Sequence, residues 1–153
     1  MQPHPNRWGF FFFKFQIIAA SFSYGKIEKL KSRKLLEQLF REGKSFLVFP
    51  VKVIYLQPVE PMDFPVKVAV GASGRHFKKA VHRNRVKRLM REAYRLNKAP
   101  LHQLVTSQQK QVAVFLLYID KVLPPNGDLL QQKMPVLINK LVKELNENIT
   151  PHT

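Results

Sequence analysis

The stretch KKAVHRNRVKRLMREAYRLNK, residues 78–98, determines both how this sequence folds and which surface it presents. It contains nine lysines and arginines but a single acid, Glu92. At roughly 100° per residue, its apolar side chains fall on one half of a helix. The residues predicted to face the core are Val86, Leu89, Met90, Ala93 and Leu96. The stretch therefore predicts an amphipathic helix with a strongly basic outer side.

The outer side of this helix is almost purely cationic. Its members are Arg83, Asn84, Arg85, Lys87, Arg88, Arg91 and Arg95. Four of them, starting at Asn84, follow one another at spacings that place them along a single line. Like charges at such spacings destabilise a helix, and solvated helix faces usually mix acids with bases. The pattern therefore favours an anionic partner, and the arginine forks suit bidentate contact with phosphate.

The composition of the whole chain indicates the same kind of partner. With 153 residues and 45% hydrophobic content, the chain can build one modest core and one domain. A formal net charge of +16 favours a polyanion, either nucleic acid or an anionic membrane. The absence of cysteine excludes disulfides, a thiolate nucleophile and a cysteine-based zinc site. A membrane-spanning helix is not expected, because no apolar run reaches about 18 residues.

Helical and strand patterns flank the basic helix on both sides. The predicted elements are a helix between a capping Ser32 and Gly43, one strand over residues 46–56, a second over residues 65–71, a polar loop over residues 106–111, a buried strand over residues 112–119 and a final helix with Pro135 in its first turn. This order predicts one α+β domain with helices packed on a small sheet.

The first two predicted strands each carry a lysine on their alternate face. Lys52 and Lys67 alternate with valines that are expected to face the core. If the strands pair, the two lysines form a basic sheet surface beside the basic helix. The alternative, that each is an ordinary exposed strand lysine, stays open.

The two ends of the chain are expected to lie outside the domain. Residues 1–23 have a basic residue, an aromatic run and then small residues, which is the rough order of a secretory signal. Lys14 and Gln16 interrupt the apolar part, so we interpret residues 1–23 as a poorly ordered extension. The predicted domain covers residues 24–147, and residues 148–153 form a tail.

Three segments of the sequence carry a resemblance to a known family. The segment AVHRNRVKRLMREAYR, residues 80–95, resembles the arginine-rich signature of the bacterial ribonuclease P protein subunit. The segments FREGKSF, residues 40–46, and YRLNK, residues 94–98, are also similar to that family. The family often has a lysine pair and a glycine just before the motif. This chain departs from that pattern at GASGRHFKK, residues 71–79, where Arg75 and His76 are nearest to the pair and no glycine stands at Lys78.

The resemblance implies a fold and a division of labour. The fold would be that of the second domain of ribosomal protein S5, with a left-handed β-α-β crossover that general chirality rules do not predict. The protein would be the non-catalytic component of a cytoplasmic ribonucleoprotein endonuclease. Its RNA subunit would remove the 5′ leader from precursor tRNA, using Mg²⁺ bound mainly by that RNA and no organic cofactor. Neither a membrane nor a protein oligomer is required.

The resemblance also implies which residues bind RNA. The positions that match the motif, expected to bind the catalytic RNA, are Arg83, Asn84, Arg85, Lys87, Arg88 and Arg91, and Arg95 continues their line. The positions expected to bind the leader, between the sheet and the helices, are Leu36, Phe40, Lys52 and Ile54, with Lys67 on the same sheet surface. For Leu36 and Phe40, plain packing of the first helix remains an alternative.

The sequence itself offers little for protein-based catalysis. A protein that cuts RNA needs clustered carboxylates for Mg²⁺ or a histidine pair for acid-base work. The ten acids are spread along the chain, and Glu92 is expected to pair with Arg88 or Arg95 on its own helix. We interpret His76 and His82 as surface or phosphate-contacting histidines.

Two other classes of protein fit part of the sequence. A ribosomal or other structural RNA-binding protein would share the charge, the fold class and the lack of a catalytic site, and only the detailed Arg-Asn-Arg pattern argues against it. A membrane-surface protein would have to expose the apolar side of the basic helix to lipid, whereas that side is needed for the core.

Overall fold

The computed structural model describes residues 24–147, so the predicted extension and tail lie outside the described residues. After a short 3₁₀ turn at Lys26–Glu28, the elements in chain order are α1 (Arg33–Glu42), β1 (Lys44–Val48), β2 (Val51–Leu56), β3 (Val66–Ala72), α2 (Ala80–Asn97), α3 (Ala99–Ser107), β4 (Val112–Tyr118) and α4 (Asp128–Glu147). This composition confirms the predicted α+β class.

The strands of the described region form one mixed sheet in the order β1-β2-β4-β3. β2 pairs antiparallel with both β1 and β4, whereas β3 pairs parallel with β4. Because β3 and β4 are adjacent and parallel, the chain between them, which contains α2 and α3, forms a β-α-β crossover. The left hand of this crossover stays a prediction.

The sheet is covered on both faces, and the larger core lies on the side of α2, α3 and α4. Alternate residues of the strands face this core, as the period of two requires, and Val53, Val66 and Val68 are completely buried there. The other face packs under α1, where Leu39 is fully buried against Ala113. The lysines of β2 and β3 share this second face, as their alternation with valines predicts.

Local sequence signals set the bounds of α1. The Ser32 hydroxyl accepts a hydrogen bond from the Leu35 amide at 3.3 Å, which caps the start of the helix. At the other end the Gly43 amide donates to the Leu39 carbonyl at 2.8 Å. A Cβ on Gly43 would lie 2.3 Å from that carbonyl oxygen, so this close approach requires glycine. Both ends therefore confirm the predicted helix.

The core stripe of α2 differs from the prediction at one edge. Val86, Met90 and Ala93 are fully buried as expected, but Leu96 is 42% exposed and Tyr94 is buried instead. Tyr94 and Leu96 lie about 80° from Val86 on opposite edges of the stripe, so the spacing alone does not separate them. The Tyr94 edge is the covered one because the rings of Tyr24 and His102 pack against it.

Three predicted elements are wrong in their extent. The single strand over residues 46–56 is a hairpin that turns at Phe49–Pro50, because Pro50 has no amide hydrogen for a sheet ladder. The polar loop predicted over residues 106–111 is shorter, because the residues before Gln108 form α3. The early Pro100 of this helix occupies a position that tolerates proline. Pro135 lies inside α4, which begins at Asp128, and not in its first turn.

Candidate nucleic-acid interface

The outer face of α2 carries cations that form no ion pair within the described range. Arg88 is exposed and Lys87 is partly exposed. Within residues 24–147, neither side chain forms an ion pair. Asn84, one turn earlier than Arg88, is also exposed and adds an amide to the same line. This part of the helix therefore presents positive charge that the described fold does not use.

Arg95, at the end of the line, differs from these cations because it has a carboxylate beside it. Its Nε and Nη2 atoms donate to Glu92 Oε2 and Oε1 at 3.1 and 2.5 Å. These hydrogen bonds lower the pKa of Glu92 and raise the pKa of Arg95. The pair confirms that Glu92 is an intrahelical partner, and it reduces the positive field at this end of α2.

Two further arginines of the face are held by backbone carbonyls. Arg83 Nη1 donates to the carbonyls of Phe77 and Lys78, at 2.8 and 2.9 Å. Arg85 Nη2 donates to the carbonyl of Pro125, in the connection between β4 and α4, at 2.5 Å. The structure therefore divides the predicted RNA-binding residues into held and unheld side chains, and their roles in binding stay a prediction.

Two rings, Phe40 and Phe115, lie together on the sheet face that α1 partly covers, and we call this pair the aromatic shelf. Phe40 projects from the last turns of α1 and is 54% exposed. Its ring meets the edge of Phe115 on β4, with centroids 4.9 Å apart. A Cβ on Gly71 would lie 2.7 Å from the Phe115 ring, so the glycine leaves room for this shelf. Sequence patterning missed Phe115 because its strand reads as continuously buried.

Lys52 and Ile54 lie next to this shelf. Ile54 is paired with Phe115 across β2 and β4, and Lys52 follows two residues away on the same face. Lys52 is exposed and Ile54 is partly buried. Phe40, Lys52 and Ile54 therefore lie on the same side of the sheet, with an open aromatic ring and, two residues beyond Ile54 along β2, a cation. We call this surface the cleft.

The other two predicted leader-binding residues, Leu36 and Lys67, have different surroundings from Phe40 and Lys52. Leu36 is partly buried and packs with the small core under α1, as its alternative interpretation holds. Lys67 pairs with Ala113, four residues along β4 from the partner of Lys52, which is about 13 Å along the strand. Its Nζ also lies 2.6 Å from Asp63 Oδ1. Whether these two residues contact a ligand stays a prediction.

A buried polar cluster at the end of α2 has no counterpart in the sequence analysis. Lys98 Nζ donates to both carboxylate oxygens of Glu28, at 2.8 and 2.9 Å, and both side chains are almost completely buried. The hydroxyl oxygen of Tyr94 lies 2.9 Å from His102 Nε2 in the same cluster. Burial, with the charge of Lys98 beside it, lowers the pKa of His102 to about 3, so this histidine is neutral at physiological pH.

Residues 24–147 contain no group of three or more histidine, aspartate or glutamate side chains placed to hold a metal ion. In the same range no helix combines the length and the apolar character that crossing a bilayer requires.

Solved structures share this architecture. The RNase P protein of Staphylococcus aureus matches with a TM-score of 0.58 and 16% identity, over 76% of this chain and 95% of that one. The RNase P protein from Thermotoga maritima matches with a TM-score of 0.57 and 20% identity, over 74% of this chain and 96% of that one. The chain is thus a basic α+β protein with the fold of bacterial RNase P proteins.

Sequence comparison then identifies the family. The sequence model of the Ribonuclease P family matches residues 25–142. The ribonuclease P protein component of Porphyromonas gingivalis is 37% identical over 105 residues, which are 69% of this chain and 77% of that protein. The same component of Chlorobium phaeobacteroides is 32% identical over 128 residues, covering 78% and 88% of the two chains. The chain belongs to the ribonuclease P protein family.

Proposed function

We propose that this protein is the RNA-binding subunit of a cytoplasmic ribonuclease P, and that it assists the catalytic RNA in removing the 5′ leader from precursor tRNA. The observation that carries the proposal is the outer face of α2. In a chain of this family, Lys87 and Arg88 stand on a rigid helix without an acidic partner in the described region. Phosphates spaced along an RNA backbone supply the negative charge that such a face lacks.

In this proposal α2 binds the catalytic RNA. The helix is fixed by its buried stripe, so the backbone positions that carry its cations keep a constant spacing before the RNA arrives. A preorganised backbone reduces the conformational entropy that is lost on binding. Because the contacts are to phosphates, they position the RNA without reading its sequence. The α2 face therefore supports assembly with a structured RNA whatever the substrate.

The leader of the precursor lies along the cleft in this proposal. Phe40 offers an exposed ring on which a base stacks, and Lys52 stands beside it as a phosphate partner. Stacking on aromatic rings tolerates every base, because each base has a π face. That tolerance suits a leader, whose sequence differs from one precursor tRNA to the next.

The chemistry and Mg²⁺ are assigned to the RNA subunit. Residues 24–147 contain no group of three or more carboxylate or histidine side chains placed to hold a metal ion. We therefore give this chain no step of the cleavage reaction. Its contribution is to bind and orient the two RNAs, with no organic cofactor.

The test of the proposal is reconstitution. Full-length protein is mixed with precursor tRNA and Mg²⁺, with and without a bacterial ribonuclease P RNA. We expect no cleavage by the protein alone and faster cleavage at the mature 5′ end when both subunits are present, most clearly at low salt, where phosphate contacts are least screened. Cleavage without the RNA subunit, or no stimulation of the RNA, would overturn the proposal in favour of a structural RNA-binding protein.

The leader assignment has its own test. Phe40→Ala is expected to weaken binding of leader-bearing precursor by about fivefold, because stacking contributes roughly 1 kcal/mol or more per base. Binding of mature tRNA should be nearly unchanged. Phe49→Ala is the matched control, since Phe49 is 55% exposed at the hairpin turn and lies outside the cleft residues. Equal losses for both substrates, or for both variants, would contradict the assignment.

A further inference from the structure

The side chain of Arg83 is committed to the segment that precedes α2. Its Nη1 atom bridges the carbonyls of Phe77 and Lys78, at 2.8 and 2.9 Å. Helix side chains lean toward the N-terminus, so a residue in the first turn of α2, which begins at Ala80, can reach back over this segment. Charge-assisted hydrogen bonds are among the stronger ones in proteins, so moving Nη1 away from the two carbonyls would be costly.

The segment held in this way runs from a buried anchor to two exposed lysines. The Phe77 amide donates to the Ser73 carbonyl at 2.9 Å, and the Phe77 ring is buried with its centroid 6.0 Å from that of Tyr118. The next two residues, Lys78 and Lys79, are exposed. Arg83 therefore links the exposed end of the segment to α2.

Lys78 and Lys79 have the properties of a phosphate-contacting pair. Neither forms an ion pair with any residue of the described range. They stand at the N-terminal end of α2, where the helix dipole adds partial positive charge and the first turn contains no acid. Two adjacent lysines lose less entropy on binding when the backbone that carries them is already fixed.

We infer that Arg83 is a positioning residue, and that Lys78 and Lys79, held by it, make the phosphate contacts at this end of the interface. In this role Arg83 acts through its hydrogen bonds to the two backbone carbonyls. This inference rests on the proposed function, because it takes the catalytic RNA as the ligand. Two arginines of α2 then have different roles. Arg83 holds the preceding segment in place, and Arg88 binds the RNA directly.

A double-mutant cycle tests the inference. Binding to a bacterial ribonuclease P RNA is measured for full-length wild type, Arg83→Gln, Lys78→Ala/Lys79→Ala and the triple variant. We expect Lys78→Ala/Lys79→Ala to weaken binding about tenfold and to flatten the slope of log affinity against log salt by roughly 1.5. Arg83→Gln should weaken binding several-fold in the wild-type background and have no further effect once both lysines are gone.

Arg88→Gln is the matched control for the cycle. It removes the same charge from the same helix about 7.5 Å beyond Arg83 and about 14 Å from the lysine pair, so its effect should add to that of the lysine pair. Arg83→Lys is the second variant, for use if Arg83→Gln melts too early to assay. Its ammonium group keeps the positive charge and one carbonyl contact. Arg83→Lys should weaken binding less than Arg83→Gln does. Like Arg83→Gln, it should not change the affinity once both lysines have been replaced.

Two outcomes would overturn the inference alone. In the first, wild type binds the RNA, and Arg83→Gln or Arg83→Lys weakens binding by the same factor with and without the two lysines. This result would show that Arg83 contacts the RNA directly. The other is that Lys78→Ala/Lys79→Ala leaves affinity and salt slope unchanged. If wild type does not bind the ribonuclease P RNA at all, the proposed function fails and the inference fails with it.

Discussion

The C-terminal end and the middle of one basic stretch use their positive charges in opposite ways. At its C-terminal end Lys98 is buried, 1% exposed, with both carboxylate oxygens of Glu28 within 2.9 Å of its Nζ. In its middle, Arg88 is exposed and has no ion-pair partner in the described chain. The sequence presents both residues as members of one cationic run. Burial and partner geometry, not residue type, separate a charge that holds the fold from a charge available to a ligand.

The physical reason for the difference is solvent. A buried ion must be compensated, so removing one partner of a buried pair leaves an uncompensated charge and is strongly destabilising. An exposed cation is solvated by water, so its loss affects stability little. Variants of the two regions should therefore separate stability from RNA binding.

The largest expected effect is on the buried pair. Lys98→Met should lower the free energy of unfolding by about 3–5 kcal/mol, because Glu28 would remain buried without its cation. Urea unfolding followed by circular dichroism measures the change.

A double variant provides the control for the buried pair. Glu28→Gln/Lys98→Met should be more stable than Lys98→Met, because it no longer buries an unpaired charge. Lys87→Met, an exposed change on α2, should alter stability by well under 1 kcal/mol. If Lys98→Met is as stable as Lys87→Met, the ion pair does not hold the end of α2.

A smaller effect is expected from the pH dependence of His102. Its pKa is lowered from 6.5 to about 3 by burial and by Lys98, so the unfolded chain binds a proton at pH values where the folded chain does not. Stability from this group is complete above pH 6.5 and is lost as pH falls toward 3. Between pH 6.5 and about pH 5 the loss should be about 2 kcal/mol.

His102→Gln isolates this contribution from that of the carboxylates. Glutamine does not titrate but can still hydrogen-bond to the Tyr94 hydroxyl, so the variant should show a flatter dependence of unfolding free energy on pH over that interval. A slope identical to that of wild type would mean that His102 is not buried in its neutral form.

The smallest expected effect lies on the exposed face. Glu92→Gln removes the carboxylate bound to Arg95, which should raise affinity for a ribonuclease P RNA by about twofold at low salt. Filter binding measures the change. Glu37→Gln on α1 removes the same charge at an exposed position on another helix and should leave affinity nearly unchanged. Weaker binding by Glu92→Gln would show that the Glu92–Arg95 pair itself contributes to the interface.

Short-range sequence patterns correctly predicted the helices and strands whose ends are determined by residues a few positions away. Ser32 and Gly43 delimit α1 through contacts three and four residues away, and alternating valines define β3. The choice between Tyr94 and Leu96 could not be predicted, because it depends on rings from Tyr24 and α3. Periodicity fixes a stripe on a helix, but tertiary contacts decide how far each edge is covered.

The candidate site shows the same limit. The basic face of α2 follows from spacing alone, since its cations lie on one side of a single helix. Spacing does not predict which of these cations is held by another group of the protein. Arg85 reaches a carbonyl forty residues away in sequence, at Pro125, and Lys98 meets a glutamate seventy residues earlier. Such partners are defined only when the chain has folded.

The claim that the exposed face of α2 binds RNA is tested most directly by the salt dependence of binding. Affinity for a ribonuclease P RNA is measured from low to moderate salt for wild type, Arg88→Ala/Arg91→Ala and Lys133→Ala/Lys143→Ala. The last variant removes the same charge from exposed positions on α4. We predict that Arg88→Ala/Arg91→Ala weakens binding at least tenfold and flattens the salt slope by roughly 1.5, while the α4 variant keeps a slope near that of wild type. An unchanged slope in folded Arg88→Ala/Arg91→Ala, or an equal change in both variants, would contradict the assignment of α2 as the RNA-binding surface.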